Sequence, residues 1–482
     1  MNLALPLTAL GPAGAALLIL VGGGSARARR VIALAGLGAG IGATIFVLVH
    51  TIPGDPAAAR GLETDAWRAG LALGALVVAA AGIPSSSERG TTSTTAHLAS
   101  AAAAAGALIS TDVFTVAAFL VAATAASVLA SAPDGVINGI RAARWFVLSD
   151  VLAVAGLLLA AQDGMRVPPT LSGSPAALIL VAAAIRSGAV PFVRTFSDTA
   201  EVEPLSASIA LGPMRAQGLL LAGWVALSGG GGARAMAIGG AVVAALAARR
   251  AAREASGGAA LAAAAALVLT GLGIGGASAI SGAVLLAAGS FVGAALLLLG
   301  GARAASPTIG AAPLGATFPG AAVVCAAALA RGIGEAGDLA VALPAALALL
   351  WLVVAGASGT RGIAARAHPI WLILPGAAAL TIAVVPGRAM RAITTPVTPF
   401  LGAGRPLTDL TGGVPDDLGI LFAIAAVGGL VAATHPRPLL EQRASSPPGS
   451  ALRVPRFVSG GLVAGAAGVL ALLWVGIRRG FI

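Results

Sequence analysis

The chain has 482 residues, of which 58% are hydrophobic and only 10% charged, and its formal net charge is +11. A soluble domain carries about 25% charged residues, so this composition excludes an ordinary soluble protein and favours one that lies in a lipid bilayer. The single cysteine, Cys325, excludes a disulfide framework, and the sequence contains no phosphate loop, nucleotide fingerprint, nucleophile motif or metal-spaced histidines.

The basic residues explain the net charge without a nucleic-acid partner. All 29 are arginine, and most stand in short stretches between apolar runs, where they govern the orientation of membrane helices. We therefore expect the lipid bilayer as a partner, no nucleic acid, no cofactor, no metal and no catalytic residues.

Apolar runs long enough to cross a bilayer follow one another along the whole chain. They predict an all-α polytopic membrane protein with about 14–16 transmembrane helices. When the amino terminus is placed outside, more of the arginines fall on the cytoplasmic side, so we expect a multi-pass protein of the bacterial cytoplasmic (inner) membrane in that orientation. In chain order the predicted spans are 3–22, 31–51, 67–83, 94–110, 111–131, 143–162, 174–192, 204–228, 235–248, 257–275, 277–300, 316–332, 337–357, 370–386, 417–434 and 457–477.

The spans fall into five predicted segments. The segments are N-terminal transmembrane helices (1–110), a core (111–330), C-terminal transmembrane helices (331–434), a cytoplasmic linker rich in proline and serine (435–456), and a terminal anchoring helix (457–482).

Two spans of the core are interrupted, by "RSGAVPF" at 186–192 and by "APLGATFPG" at 312–320. Broken helices at corresponding places in two halves of a transporter point to inverted repeats and a path at mid-membrane. Alternatively, glycine and proline are simply commoner in membrane helices than in soluble ones. The predicted breaking residues are Gly188, Pro191, Pro319 and Gly320, with Pro213 inside the next span.

Three charged residues lie well inside predicted spans and are candidates for an ion path. Arg186 lies inside an apolar run that begins near Ala176, and a charge there is costly unless it is paired or lines water. Asp150 is the only acidic residue well inside a span, so it is the best candidate partner; alternatively it lies unpaired at the membrane interface. Arg215 follows Pro213 and faces either a cavity or another subunit.

The stretch "IRSGAVPFVRTFSDTAEVEPLSAS" at 185–208 resembles the proton-translocating antiporter-like membrane subunits of respiratory complex I, which are related to subunits of multisubunit cation/proton antiporters and membrane-bound hydrogenases. The family pattern is a lysine, small residues, Pro-Phe, an acidic loop and a proline that opens the next helix. Stretches at 111–131, 144–159, 287–301 and 313–324 resemble further family segments in the same order. The resemblance implies two inverted repeats, each with a broken helix, and proton movement along buried charged residues.

Most of the family's ionisable positions fall on residues that carry no exchangeable proton. The family's first lysine falls on Arg186, and a basic position of the next helix falls near Arg215. Arginine is not deprotonated in proteins. The family's glutamate falls on Val121, its central lysine on Gly293, and the ionisable residue after the second break on Ala321.

The resemblance implies a non-catalytic membrane-arm subunit of a complex-I-like, redox-driven proton-pumping assembly, of the NADH:quinone oxidoreductase or membrane hydrogenase type. Its partners would be the other membrane subunits of a hetero-oligomeric complex. With the relay residues largely replaced, we expect little pumping by this subunit and a mainly structural role. The alternative is a subunit of a stand-alone multisubunit cation/proton antiporter or other ion transporter. Arg186 would be either a fixed counter-charge beside a water path or a relic that stabilises the subunit.

Overall fold

The computed structural model of the chain describes residues 2–51, 56–59, 61–85, 90–130, 136–162, 164, 166–189, 204–254, 256–300, 337–357, 394 and 397–401. Within these ranges the protein is almost entirely helical, and eight helices are long and apolar enough to cross a membrane. The predicted all-α polytopic fold is confirmed. The helices are α1 (Ala4–Gly22), α2 (Ala26–Thr51), α3 (Ala66–Ser85), α4 (Thr91–Ile109), α5 (Val113–Ala130), α6 (Val136–Ala160), α7 (Gly173–Arg186), α8 (Pro204–Ile209), α9 (Arg215–Ser228), α10 (Gly230–Glu254), α11 (Gly257–Ile274), α12 (Ala277–Gly300) and α13 (Leu339–Ala357).

Several helices run beyond the spans predicted from their apolar residues. Helix α2 begins at Ala26, before the predicted 31, and α10 covers Gly230–Glu254 where 235–248 was predicted. The added turns carry arginines at the helix ends, because backbone hydrogen bonding continues past the apolar core to where a charged side chain reaches the interface.

Small residues let the helices pack closely. A Cβ added at Gly11 on α1 would lie 2.7 Å from the Gly36 carbonyl of α2, and one added at Gly240 on α10 would lie 2.8 Å from the Ala266 carbonyl of α11. In lipid, helices associate through such close backbone contacts rather than through burial of large apolar side chains. The many alanines and glycines of this chain therefore suit a tightly packed bundle.

A small hairpin connects α2 and α3 and gathers other connections at one end of the bundle. It consists of β1 (Ala57–Ala59) and β2 (Leu62–Thr64), which the sequence did not predict. The Thr111 hydroxyl, between α4 and α5, donates to the Gly61 carbonyl at 2.9 Å. The Val167 amide, between α6 and α7, donates to the Thr111 carbonyl at 3.1 Å. The three connections therefore lie at the same face.

Two further contacts extend this face. The Leu171 amide before α7 donates to the Ser228 hydroxyl at the end of α9, at 3.2 Å. Arg234 near the start of α10 pairs with Asp338, just before α13, at 3.2 Å. If successive spans cross the membrane in alternate directions, as predicted, all of these connections lie on one side of the membrane. Their contacts with one another agree with that prediction.

The first interrupted span ends earlier than predicted. Helix α7 ends at Arg186, and Gly188 has φ +85, a left-handed conformation that favours glycine and stops the helix. In the next span, Pro213 lies inside a π-helical turn, Ala210–Met214, which joins α8 to α9 without a break. Outside the described residues lie Pro191, Pro319, Gly320, Ala321, the second break, the linker 435–456 and the terminal helix 457–482. The two inverted repeats and the segment boundaries stay predictions.

Candidate functional site

A buried ion pair joins α6 and α7. Arg186, at the end of α7, is 0% exposed, and its Nη1 donates to the Oδ1 atom of Asp150 on α6. Asp150 is itself buried at 7% exposure. The structure thus brings together the arginine and the acid that the sequence suggested as partners; their role on an ion path stays a prediction.

The rest of the Arg186 guanidinium is held by uncharged acceptors from two more helices. Its Nε and Nη2 both donate to the Gln217 Oε1 atom of α9, at 2.9 and 2.8 Å. Its Nη2 also donates to the Leu120 carbonyl of α5 at 2.6 Å and to the Thr124 hydroxyl at 3.3 Å. We call Arg186, Asp150, Gln217 and Thr124 the Arg186 cluster. It ties α5, α6, α7 and α9 together.

The sequence interpretation missed Gln217 and Thr124. Gln217 is a fully buried amide in an otherwise apolar helix, and that isolated polar residue was the available signal. Its Nε2 donates to the Phe119 carbonyl at 3.4 Å, so the amide is held at both ends. This second bond leaves Oε1 as the end that accepts from the guanidinium.

Gly218 allows α9 to approach the end of α7. A Cβ at this position would overlap the Ser187 amide nitrogen and the Arg186 carbonyl carbon. Because only glycine fits here, Gly218 fixes the distance at which the neighbouring Gln217 meets the guanidinium.

Arg215 is a second buried cation without a carboxylate partner among the described residues. It is 0% exposed; its Nε donates to the Ser187 carbonyl at 3.3 Å and its Nη2 to the Leu261 carbonyl of α11 at 2.7 Å. Its Nη1 has no hydrogen-bond partner within that part of the chain. Arg215 therefore lies beside the Arg186 cluster and does not share the Asp150 ion pair.

Two of the family positions predicted to be lost lie in described helices. Val121 lies on the outer face of α5 and is 47% exposed, whereas Thr124, three residues on, faces Arg186. Gly293 is buried in α12. Neither position offers a group that can carry a proton.

A buried histidine lies outside the Arg186 cluster, and the sequence interpretation gave it no role. His97 on α4 is 0% exposed; its Nε2 lies 2.9 Å from the Ala79 carbonyl of α3, and its Nδ1 lies 3.2 Å from the Ser208 hydroxyl of α8. Its only signal in the sequence was an imidazole in a run of small and apolar residues. No group of three or more potential metal ligands occurs among the described residues.

Few of the buried side chains in the described helices can exchange a proton. Arg186 and Arg215 are permanent cations, because a guanidinium keeps its proton in proteins. Asp150 and His97 are the buried groups in the described helices that can take up and release a proton.

The sequence matches no protein-family profile and no curated protein. Solved structures are similar in fold. A chain of the Mrp complex from Dietzia sp. DQ12-45-1b superposes with a TM-score of 0.69 and 18% identity, over 100% of this chain and 60% of that chain.

Two respiratory complexes contain similar chains. A chain of the membrane-bound sulfane sulfur reductase, an archaeal respiratory membrane complex, has a TM-score of 0.61 and 17% identity, over 79% of this chain and 75% of that chain. A chain of respiratory complex I from Thermus thermophilus has a TM-score of 0.60 and 15% identity, over 84% of this chain and 100% of that chain.

This chain shares its fold with chains of these three membrane complexes. The predicted resemblance is borne out at the level of fold, and the protein is a multi-pass membrane protein. Similarity of fold assigns no chemical role to any residue of this chain, so such roles are argued from its own side chains.

Proposed function

We propose that the chain is a membrane-arm subunit of a complex-I-like, redox-driven ion-translocating assembly, in which its own proton relay is truncated and its role is largely structural. The observation that carries this proposal is the Arg186 cluster. Where a related subunit has a titratable lysine, this chain has a permanent cation bound by a carboxylate, an amide, a hydroxyl and a backbone carbonyl.

The cluster favours a fixed structure over a proton relay. A relay group must alternate between protonated and deprotonated states, and its hydrogen bonds must rearrange each time. Arg186 does not alternate, and its donors are already satisfied by groups on three other helices. Removing it from these partners would expose a charge to the bundle interior, which is costly in lipid.

Two other family positions in the described helices support the same conclusion. Arg215 is another permanent cation, and Gly293 has no side chain. A proton on Asp150 would therefore meet no titratable group at either position. This is why we infer weak or absent proton translocation by the isolated subunit.

We further propose a bacterial cytoplasmic membrane location with the amino terminus outside and partners that are other membrane subunits. The arginine distribution supports this orientation. Support for membrane partners comes from the three similar chains, each of which belongs to a complex.

A subunit of a stand-alone cation/proton antiporter is the second candidate. It is favoured by the Mrp chain, which is similar over the whole length of this chain, although this chain spans only 60% of that one. Purification of the full chain from its own membrane distinguishes the two candidates. Co-purifying subunits that carry iron–sulfur clusters, nickel or a quinone site would support the first, and a set of small antiporter subunits would support the second.

Proton flux into liposomes tests the truncated relay. Under an imposed proton gradient, vesicles that contain the purified chain should take up protons no faster than empty vesicles. An added protonophore should then cause rapid uptake, which shows that the gradient was present. Arg186→Ala and Asp150→Asn are measured beside Val121→Ala, a control on the outer face of α5. Robust flux by the wild type that either cluster variant abolishes, and the control does not, would overturn the proposal.

A further inference from the structure

Arg215 leaves most of its hydrogen-bond donors unused. A guanidinium has five N–H donors, and that of Arg215 makes two hydrogen bonds among the described residues, to the carbonyls of Ser187 and Leu261. Its Nη1 atom is buried and donates to no group in that part of the chain. Because an ionised donor that is buried without an acceptor is unfavourable, we expect a further acceptor beside Nη1.

Arg186 provides a comparison within the same bundle. Its guanidinium makes five hydrogen bonds, one of them to the carboxylate of Asp150. Both arginines are 0% exposed, so they do not differ in burial. They differ in their partners, since Arg215 has neither a carboxylate nor a full set of acceptors among the described residues.

The buried charges of the described helices do not balance. Asp150 is the only buried acid among the described residues, and it is bound to Arg186. Another buried arginine, Arg68, lies next to the hairpin and pairs with Asp65 at 2.8 Å. In the part of the chain that the structure describes, the positive charge of Arg215 is therefore uncompensated, which is costly inside a membrane.

The start of α11 adds positive potential beside Arg215. Leu261, whose carbonyl accepts from Nη2, lies four residues from Gly257, where α11 begins, or about 6 Å along the helix axis. The amino-terminal end of a helix carries a partial positive charge, because its first N–H groups have no partner within the helix. This end of α11 therefore favours an anion and disfavours a second cation.

The neighbouring end of α10 is basic. Helix α10 ends two residues before α11 begins, and its last turns carry three arginines against one acid, Glu254. The arginines are Arg249, Arg250 and Arg253. Their combined field raises the local concentration of anions at the end of the bundle where α10 meets α11.

Small side chains leave room for an ion beside the guanidinium. Apart from Leu261 itself, residues 259–266 of α11 are all alanine, and Ser187 is followed by Gly188 and Ala189. A carbonyl oxygen repels an anion, so the ion has to lie on the Nη1 side of the guanidinium, away from the carbonyls of Ser187 and Leu261.

We propose that Arg215 is a binding site for one small monovalent anion, such as chloride, which accepts from Nη1 and enters from the end of the bundle where α10 meets α11. The charge selects the class of ligand: one uncompensated positive charge needs one negative charge, and a divalent anion would reverse the imbalance. A water molecule would accept from Nη1 but leave the charge uncompensated. Binding of water alone is therefore the outcome that would overturn the proposal.

Thermal unfolding of the unaltered full chain in detergent tests the proposal. Its midpoint is compared in sodium chloride and in sodium gluconate at the same concentration, since gluconate is also monovalent but too large for a buried site. An anion that binds only the folded chain raises the midpoint, and the increase grows with the logarithm of its concentration. We expect a midpoint at least about 2 °C higher in chloride, whereas equal midpoints would mean water alone.

Equilibrium dialysis with radiolabelled chloride measures binding directly. The wild type should bind one ion per chain, and Arg215→Gln should bind it at least about tenfold more weakly. The matched control is Arg234→Gln, which removes an arginine whose side chain is 71% exposed and should bind as the wild type does. Equal affinities of Arg215→Gln and the wild type would refute the site.

Crystals of the unaltered chain grown in bromide give the position of the ion, even if Arg215→Gln fails to accumulate. The anomalous signal of bromide should form a peak beside Nη1 of Arg215. No peak there would overturn the proposal.

The anion site and the truncated relay are tested separately, because chloride binding is measured without partners or a proton gradient. Absence of chloride binding would overturn the anion site and leave the truncated relay standing. Proton flux through the wild type would do the reverse.

Discussion

Replacement of Asp150 by asparagine isolates the contribution of the buried ion pair. The amide would keep the shape of the side chain and a carbonyl that can accept from Arg186, but it would leave the guanidinium charge uncompensated. Removal of one partner of a buried pair typically costs about 3–5 kcal/mol. Since Gln217, Leu120 and Thr124 still hold the cation, we expect the lower end, about 3 kcal/mol, or roughly a 150-fold smaller folding equilibrium constant.

An exposed ion pair of the same protein provides the matched control. Arg234 and Asp338 lie 3.2 Å apart, and the arginine side chain is 71% exposed. An exposed pair contributes about 0–1 kcal/mol, so Asp338→Asn should change the free energy of unfolding by no more than that.

Reversible unfolding in mixed detergent micelles measures both variants. The cycle is completed by Arg186→Gln and by the double variant with Asp150→Asn, which removes both charges. We expect the double variant to be more stable than the sum of the two single losses by roughly 2 kcal/mol. The reasoning is refuted if Asp150→Asn destabilises the protein no more than Asp338→Asn, or if the two single losses simply add.

Helix packing and membrane topology can each be tested with paired variants. Gly218→Ala should lower thermal stability in detergent sharply, because its methyl group would overlap the backbone at the end of α7. The control Gly239→Ala has open space around it, so it should be neutral or stabilising by about 0.4–1 kcal/mol. Equal effects of the two substitutions would contradict the close approach of α9. In a Cys325→Ser background, Ala58→Cys and Asp338→Cys should be labelled from the same side of the membrane by an impermeant maleimide, and Ser25→Cys from the opposite side. Labelling of Ala58 and Asp338 from different sides would contradict the predicted alternation.

The membrane class, the all-α fold and most of the spans could be predicted from the amino-acid sequence alone. Apolar length is a local property, since each helix in lipid satisfies its own backbone hydrogen bonds. Asp150 could also be suggested from the sequence as the partner of Arg186, because an unpaired charge inside a membrane span is energetically costly and the two residues lie in neighbouring spans. The helix ends were less predictable, as α2 and α10 show, because the backbone hydrogen bonds of a helix continue beyond its apolar residues.

The residues that surround the charge could be identified only from the packing of the helices. Gln217 and Thr124 are 31 and 62 residues from Arg186 in the chain, and the rotation of α9 and α5 about their axes turns them toward it. The same rotation turns Val121 outward, and the packing of α3, α4 and α8 brings Ala79 and Ser208 to His97. Helix rotation and approach depend on contacts along the whole bundle, such as the one at Gly218, and no local pattern in one span encodes them.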